Sequence, residues 1–318
     1  MAANLLTESW PRHAKTMAVT PNRSGPAAGC ATQFAAGVGE FAEKYDTWLL
    51  DQWGVLHDGH QPFPGVIACL RRLVGLGKDI VVLSNSGKSV AANTARLASL
   101  GISPHLYRAV VTSGEMARAL LAQREPPFEE ALGQRCLLLS SDRDRSITDG
   151  LPITRVATVG DADFILLSGV DDSLPRSYYQ ATFELGCARG LPLICANPDL
   201  MRFTDEGVAP SAGEFARLYE DLGGRVQYIG KPHRAIYRFA LAQCRSADPA
   251  RTIAIGDSLY HDIGGGGRAG LATAFVTDGI HRHEFAAAHD TTERLALLRE
   301  LVQDYGAEPD WAIREFRW

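Results

Sequence analysis

From about residue 45 onward, short runs of aliphatic and β-branched residues alternate with longer stretches whose apolar positions recur every three or four residues. That alternation predicts an α/β protein with a mainly parallel sheet. Trp48-Leu49-Leu50 predicts a first strand ending at Asp51. Pro64 opens a helix that sets Val66, Ile67, Leu70, Leu73 and Val74 on one face, and Gly77 ends it. Ile80 to Leu83 predicts a second strand running into Ser84, followed by a helix from about Val90 to Leu100 with Gly101 as terminator. Ala109 to Thr112 and a helix from about Glu115 to Leu121 form a third unit.

The register changes after Arg124-Glu125-Pro126-Pro127, which places a boundary there. The following segment has its own predicted strands (Cys136 to Leu139, Phe164 to Leu167, Leu193 to Cys195) and helices (about Pro175 to Arg189, Ser211 to Leu222). It is long enough for a compact α/β insert of roughly 100 residues, a usual domain size. Val226 to Ile229 and Thr252 to Ile255 then resume the first pattern. The expected organisation is a flexible segment over 1–40, a Rossmann-like core from 41–124 and 225–318, and a cap domain over 125–224.

Apolar residues make up 46% and charged residues 22% of the 318, as in an ordinary globular protein with enough chain for two cores. The net charge of -5 argues against nucleic acid or an anionic membrane as partner, since both call for a basic face. No run approaches the roughly 20 apolar residues of a membrane span. The N-terminal stretch lacks the continuous apolar region of a secretory signal. The six cysteines stand singly, with no C-x-x-C pair, as in a reducing compartment. A cytoplasmic protein is expected.

Ligands of an open parallel sheet bind beyond the carboxyl ends of its strands. Four apolar runs finish there in a polar residue: Asp51, Ser84, Lys231 and Asp257. Together they make a site for a phosphoryl group. A carboxylate at Asp51 can attack phosphorus, splitting one hard displacement into two easier ones. Like charges would keep it from a phosphate dianion, and magnesium held between Asp51 and Asp257 would cancel that repulsion. The Ser84 hydroxyl and the backbone N–H groups of Asn85 and Ser86 would hold phosphate oxygens, and Lys231 adds a compact positive charge.

These residues resemble the four motifs of the haloacid dehalogenase superfamily. Asp51-Gln52-Trp53-Gly54-Val55, Leu83-Ser84-Asn85, Gly230-Lys231-Pro232-His233 and Gly256-Asp257-Ser258-Leu259-Tyr260-His261-Asp262 follow in the family's order. The last two are close to those of the NagD-like, class IIA branch, whose α/β cap lies between the second and third motifs. Ala196-Asn197-Pro198-Asp199 is similar to that branch's cap signature. The resemblance implies that Asp51 and Asp257 ligate magnesium with the Trp53 backbone carbonyl, and that Asp262 supports or joins the metal shell. It implies a small phosphorylated metabolite as substrate and a homodimer formed through the cap. Asn197 and Asp199 would fix the cap loop over the site, with Arg202 and Phe203 touching substrate.

One position departs from the family. Ester-hydrolysing members carry a second aspartate two residues after the nucleophile, as general acid and then base; here it is Trp53. Such help is worth about 10²- to 10⁴-fold. Three readings stay open: a phosphatase in which His57 or Asp58 supplies the proton or the leaving group is a good one; a metal-free dehalogenase, which the Asp257 and Asp262 carboxylates argue against; and a protein that binds a phosphorylated ligand or partner without turnover.

Overall fold

The computed structural model describes residues 32–123, 132–204 and 207–318. Seven strands form one parallel sheet: β1 (Gln33–Phe34), β2 (Thr47–Leu50), β3 (Asp79–Ser84), β4 (Ala109–Thr112), β12 (Thr252–Gly256), β13 (Ala272–Val276) and β14 (Trp311–Ile313). Their order is β1-β14-β13-β12-β2-β3-β4, so the strands that lead into Asp51, Ser84 and Asp257 occupy the centre. A second, parallel sheet of order β11-β8-β7-β5-β6 comprises β5 (Arg135–Leu139), β6 (Thr154–Arg155), β7 (Phe164–Leu167), β8 (Pro192–Cys195) and β11 (Arg225–Tyr228). β9 (Met201–Thr204) and β10 (Gly207–Pro210) make an antiparallel hairpin beside it.

The central strands read as unbroken apolar runs because both of their faces are covered. Trp48, Leu50, Ile80, Val82, Ile253 and Ile255 point into one core with helix α1 (Val66–Gly75). Leu49, Val81, Leu83 and Ala254 point the other way, into a cluster that also takes in Phe164, Leu166 and Ile194 of the second sheet. The far face of that second sheet packs on α4 (Arg176–Ala188) and α5 (Ala212–Asp221) through Ile165, Leu193, Phe183 and Tyr219. The insert is thus joined to the first sheet by a shared apolar layer.

Most predicted elements are present within a residue or two, including α2 (Val90–Ser99), whose Ser89 cap accepts from Ala92 N, and α3 (Ser113–Gln123). Three expectations are corrected. Val226 to Ile229 does not resume the first sheet: β11 pairs in parallel with β8, so 225–228 belong with the insert's sheet and not with the core. An isolated apolar tetrapeptide carries no sign of which sheet it will join. Residues 32–40 are not a loose tail: β1 pairs with β14, and Ala35 and Val38 are buried. Residues 1–31 of that expected segment lie outside the described residues, as do 124–131 at the expected boundary. Val74 is 40% exposed, because on α1 it falls at the edge of the stripe centred on Val66, Cys69, Leu70 and Leu73.

The chain also forms α6 (Arg234–Leu241), α7 (Gly264–Arg268), α8 (Arg282–Phe285) and α9 (Thr291–Tyr305). The glycine run 264–267 lies at a helix start against its propensity, and at its middle two positions there is no room for a side chain. A Cβ on Gly265 would lie 2.5 Å from Tyr237 Oη, and one on Gly266 2.8 Å from Thr273 Cγ2. Among the described residues no helix is long and apolar enough to cross a membrane.

Candidate active site

The fully buried β2 delivers Asp51 to the sheet's carboxyl edge, where its backbone N–H donates to Ile255 O at 2.9 Å. Lys231 reaches the same point from the second sheet, just beyond β11, and not from the end of a core strand. Its Nζ lies 2.8 Å from Asp51 Oδ1 and 2.7 Å from Asp262 Oδ1. Asp257, at the end of β12, accepts from Ile280 N at 2.7 Å through Oδ2. A Cβ on Gly54 would fall 1.7 Å from that oxygen, so the residue after Trp53 must be glycine for Asp257 to stand here.

Asp51, Asp257 and Asp262 each offer an oxygen within 4.8 Å of the others. Three carboxylates crowd together with one ammonium that pairs with two of them, and their proton affinities show the strain. Burial pushes the Asp51 carboxyl up to about 7 against the pull of Lys231, and Asp262 adds to the rise. Burial, Asp51 and Asp262 hold Asp257 well above the usual carboxylate range. Burial also works against the Lys231 charge, but Asp262 and Asp51 outweigh it and raise its pKa well above that of ordinary lysine. An all-oxygen donor set with excess negative charge fits a hard divalent cation, whose binding would restore the ionised carboxylates. Asp262 uses one oxygen on Lys231 and the other on Ser258 N at 3.1 Å, which suits it to anchoring the lysine.

Ser84 ends β3, and its Oγ accepts from Gln52 Nε2 at 2.9 Å and from Ser86 N at 3.2 Å. With both lone pairs engaged, its own O–H remains to be donated. Gln52, which the sequence reading passed over, is 2% exposed and ties Ser84 to Asn93 Oδ1 at 2.8 Å. Asn85 acts as a brace: its Oδ1 accepts from Lys231 N at 2.7 Å, and its Nδ2 donates to Asp199 Oδ1 at 2.8 Å. The Ser86 N–H expected to hold a phosphate oxygen is the one that donates to Ser84.

These groups open into a cleft of about 560 Å³ between the two sheets, lined by Asp51, Trp53, Ser84, Ser86, Lys231, Asp257 and Asp262 on one side and by Asn197, Asp199 and Arg202 on the other. Asn197 Oδ1 accepts from Asp199 N at 3.2 Å, which shapes the loop. Arg202 is ion-paired with Asp172 and donates to Pro210 O. The Phe203 side chain lies outside the described part of the structure. His261, Lys88 and Arg217 also line the cleft. Sequence reasoning missed these three; only His261 carried a signal, its place beside Asp262.

His57 and Asp58 turn away. His57 is fully buried, its Nδ1 accepts from Gly59 N at 3.0 Å, and burial with the nearby Arg96 charge lowers its pKa to about 4. Burial raises the Asp58 carboxyl, but the Gln61 and His60 N–H groups it binds at 2.8 Å outweigh that and hold it low. Neither lines the cleft. Their expected role as proton donor finds no geometry here.

Comparison with known proteins adds two kinds of likeness. The model of the family Haloacid dehalogenase-like hydrolase matches residues 48–153, and a second, HAD-hydrolase-like, matches 228–301. The chain is 30% identical over 276 residues to glycerol-3-phosphate phosphatase of Gallus gallus, covering 82% of this chain and 88% of that one. A crystal structure of a haloacid dehalogenase-like family hydrolase from Brucella suis is 28% identical, with a TM-score of 0.74 over 89% of this chain and 99% of that one. A glycerol phosphate phosphatase from Mycobacterium tuberculosis, solved in complex with magnesium, is 25% identical, with a TM-score of 0.60 over 80% of this chain and 74% of that one.

Proposed function

We propose, from the premise that this chain belongs to the haloacid dehalogenase superfamily of hydrolases and to its NagD-like branch, that its phosphatase chemistry is magnesium-dependent and runs through Asp51. The observation that carries the reading is the meeting of Asp51, Asp257 and Asp262, with one buried ammonium paired to the first and the last of them. Magnesium held by Asp51 and Asp257, with the Trp53 carbonyl, supplies the charge that lets a carboxylate approach a phosphate. The magnesium complex of the Mycobacterium tuberculosis relative supports that choice of ion.

The protein's own groups do the rest. Lys231 holds Asp51 Oδ1 in place, which leaves Oδ2 to form the bond to phosphorus, and its third N–H is available to a phosphoryl oxygen. The Ser84 O–H, fixed by Gln52, is a second donor to that group. Asp262 keeps Lys231 charged and placed. The leaving group departs into the cleft under Asn197, Asp199 and Arg202, whose size suits a small phosphorylated metabolite. The Gallus gallus relative is named for such a substrate.

The test is release of phosphate from para-nitrophenyl phosphate. Asp51→Asn should lower turnover by at least about 10³-fold, and excess chelator should abolish it until magnesium is restored. Undiminished turnover in Asp51→Asn would remove the nucleophile, and full activity in chelator would remove the metal.

Trp53 favours a second reading, a protein that binds a phosphorylated ligand with little turnover. Activity that emerges from none in Trp53→Asp would establish it.

A further inference from the structure

We infer that the cleft selects phosphate esters whose leaving group is planar and acidic, aryl or enol in character, and departs as an anion beside the Trp53 ring. The inference rests on the phosphohydrolase reading above and adds the class of ester that it serves.

Two observations carry it. The first is that Trp53 lines the cleft beside Asp51 with its indole held in place. Gly59, at φ +98°, lies so close that a Cβ there would sit 2.5 Å from Trp53 Cζ3. The His57 ring meets the indole edge-on at 4.9 Å, and Arg96 holds the Gly59 carbonyl. Gly59, His57 and Arg96 thus fix the indole of a residue that lines the cleft, and a flat aromatic face favours planar rings.

The second is that the described acids nearest the nucleophile each already have a partner of their own. Asp257 is held by Ile280 N and Asp262 by Lys231 and Ser258 N. Asp199 accepts from Asn85, and Asp58 closes its own turn. His261 faces Ser258 and Asp199 through Nδ1, while its Nε2 is enclosed without a partner. An ester oxygen that leaves without a proton must be stable as an anion.

The chemistry balances without an acid. Asp51 Oδ2 forms a bond to phosphorus as the bond from phosphorus to the ester oxygen breaks, and the electron pair leaves on an aryloxide or enolate. Water oxygen then attacks phosphorus as the bond from phosphorus to Asp51 Oδ2 breaks, the Asp51 carboxylate departs as an anion, and of the water's two protons one stays on the phosphate product and the other stays with it or passes to solvent.

The experiment is kcat/KM with magnesium for a series of esters from para-nitrophenyl through phenyl to alkyl phosphates. In the wild type, kcat/KM should fall about tenfold for each unit rise in leaving-group pKa, the behaviour of a departure without general-acid help. Trp53→Asp should flatten the series by raising the alkyl esters about 10²- to 10⁴-fold. Trp53→Phe, which keeps a flat ring and adds no acid, should keep the slope. A flat wild-type series, or Trp53→Phe flattening it as Trp53→Asp does, would overturn the inference and leave the phosphohydrolase reading standing. No release from any ester, or release undiminished in Asp51→Asn, would overturn that reading itself.

Discussion

Lys231 Nζ stands 2.8 Å from Asp51 Oδ1, with both side chains nearly closed off from solvent. The lysine follows β11 of the second sheet and the aspartate follows β2 of the first, so their contact forms only when the two sheets dock. Removing one partner of such a pair leaves a buried charge uncompensated, at a cost of about 3 to 5 kcal/mol. Lys231→Met should therefore lower the urea midpoint of the metal-free protein as well as abolish turnover. An unchanged midpoint would show that the ammonium is not holding the carboxylates.

Gly54 controls Asp257 by its lack of a side chain. A methyl group there would occupy the carboxylate's position, at a backbone φ of +75°. Gly54→Ala should weaken magnesium binding by about 10- to 100-fold, as losses in the support of a metal ligand do. Titration calorimetry with magnesium checks this.

Gln52 fixes the Ser84 hydroxyl through a bond of 2.9 Å. Gln52→Leu frees that hydroxyl to rotate and leaves Asn93 Oδ1 without its partner. The expected result is a fall in kcat/KM of about tenfold and a stability loss of about 1 to 2 kcal/mol. Steady-state kinetics beside urea unfolding separates the two effects.

His57 gives stability a pH dependence of definite sign. Its pKa is about 4 in the folded state, set by burial and by Arg96, against an ordinary value of 6.5. Between these values the unfolded chain binds the proton and the folded chain does not, so stability is lost as pH falls from about 6.5 to about 4. At pH 5 the loss is on the order of 2 kcal/mol relative to neutral pH. His57→Asn, which can still accept from Gly59 N, should remove that part of the slope between pH 7 and 5 in urea unfolding.

Much of this was legible in the chain. The central strands announce themselves because both faces are buried, and the polar residues Asp51, Ser84 and Asp257 follow them directly. What was hidden depends on docking. β11 has the look of any short strand, and only its pairing with β8 shows where it belongs. The helical glycines 264–267 defy propensity, and at Gly265 and Gly266 it is Tyr237 and Thr273 that leave no space for a side chain. Asn85 reads only for its backbone N–H; that its side chain braces Lys231 and Asp199, the latter reached only across the cleft, has no sign in the sequence. His57 and Asp58 read as acids by proximity in sequence; their loop bonds to Gly59, His60 and Gln61 face them away.

The most direct test of the central claim is to find the phosphoryl group on the protein. Acid quench of the enzyme turning over para-nitrophenyl phosphate with magnesium, followed by peptide mass spectrometry, should show one phosphoryl group on the peptide that contains Asp51. The label should be absent from Asp51→Asn and from metal-free protein. Phosphoryl label on another residue, or turnover at full rate in Asp51→Asn with no label, would contradict the account.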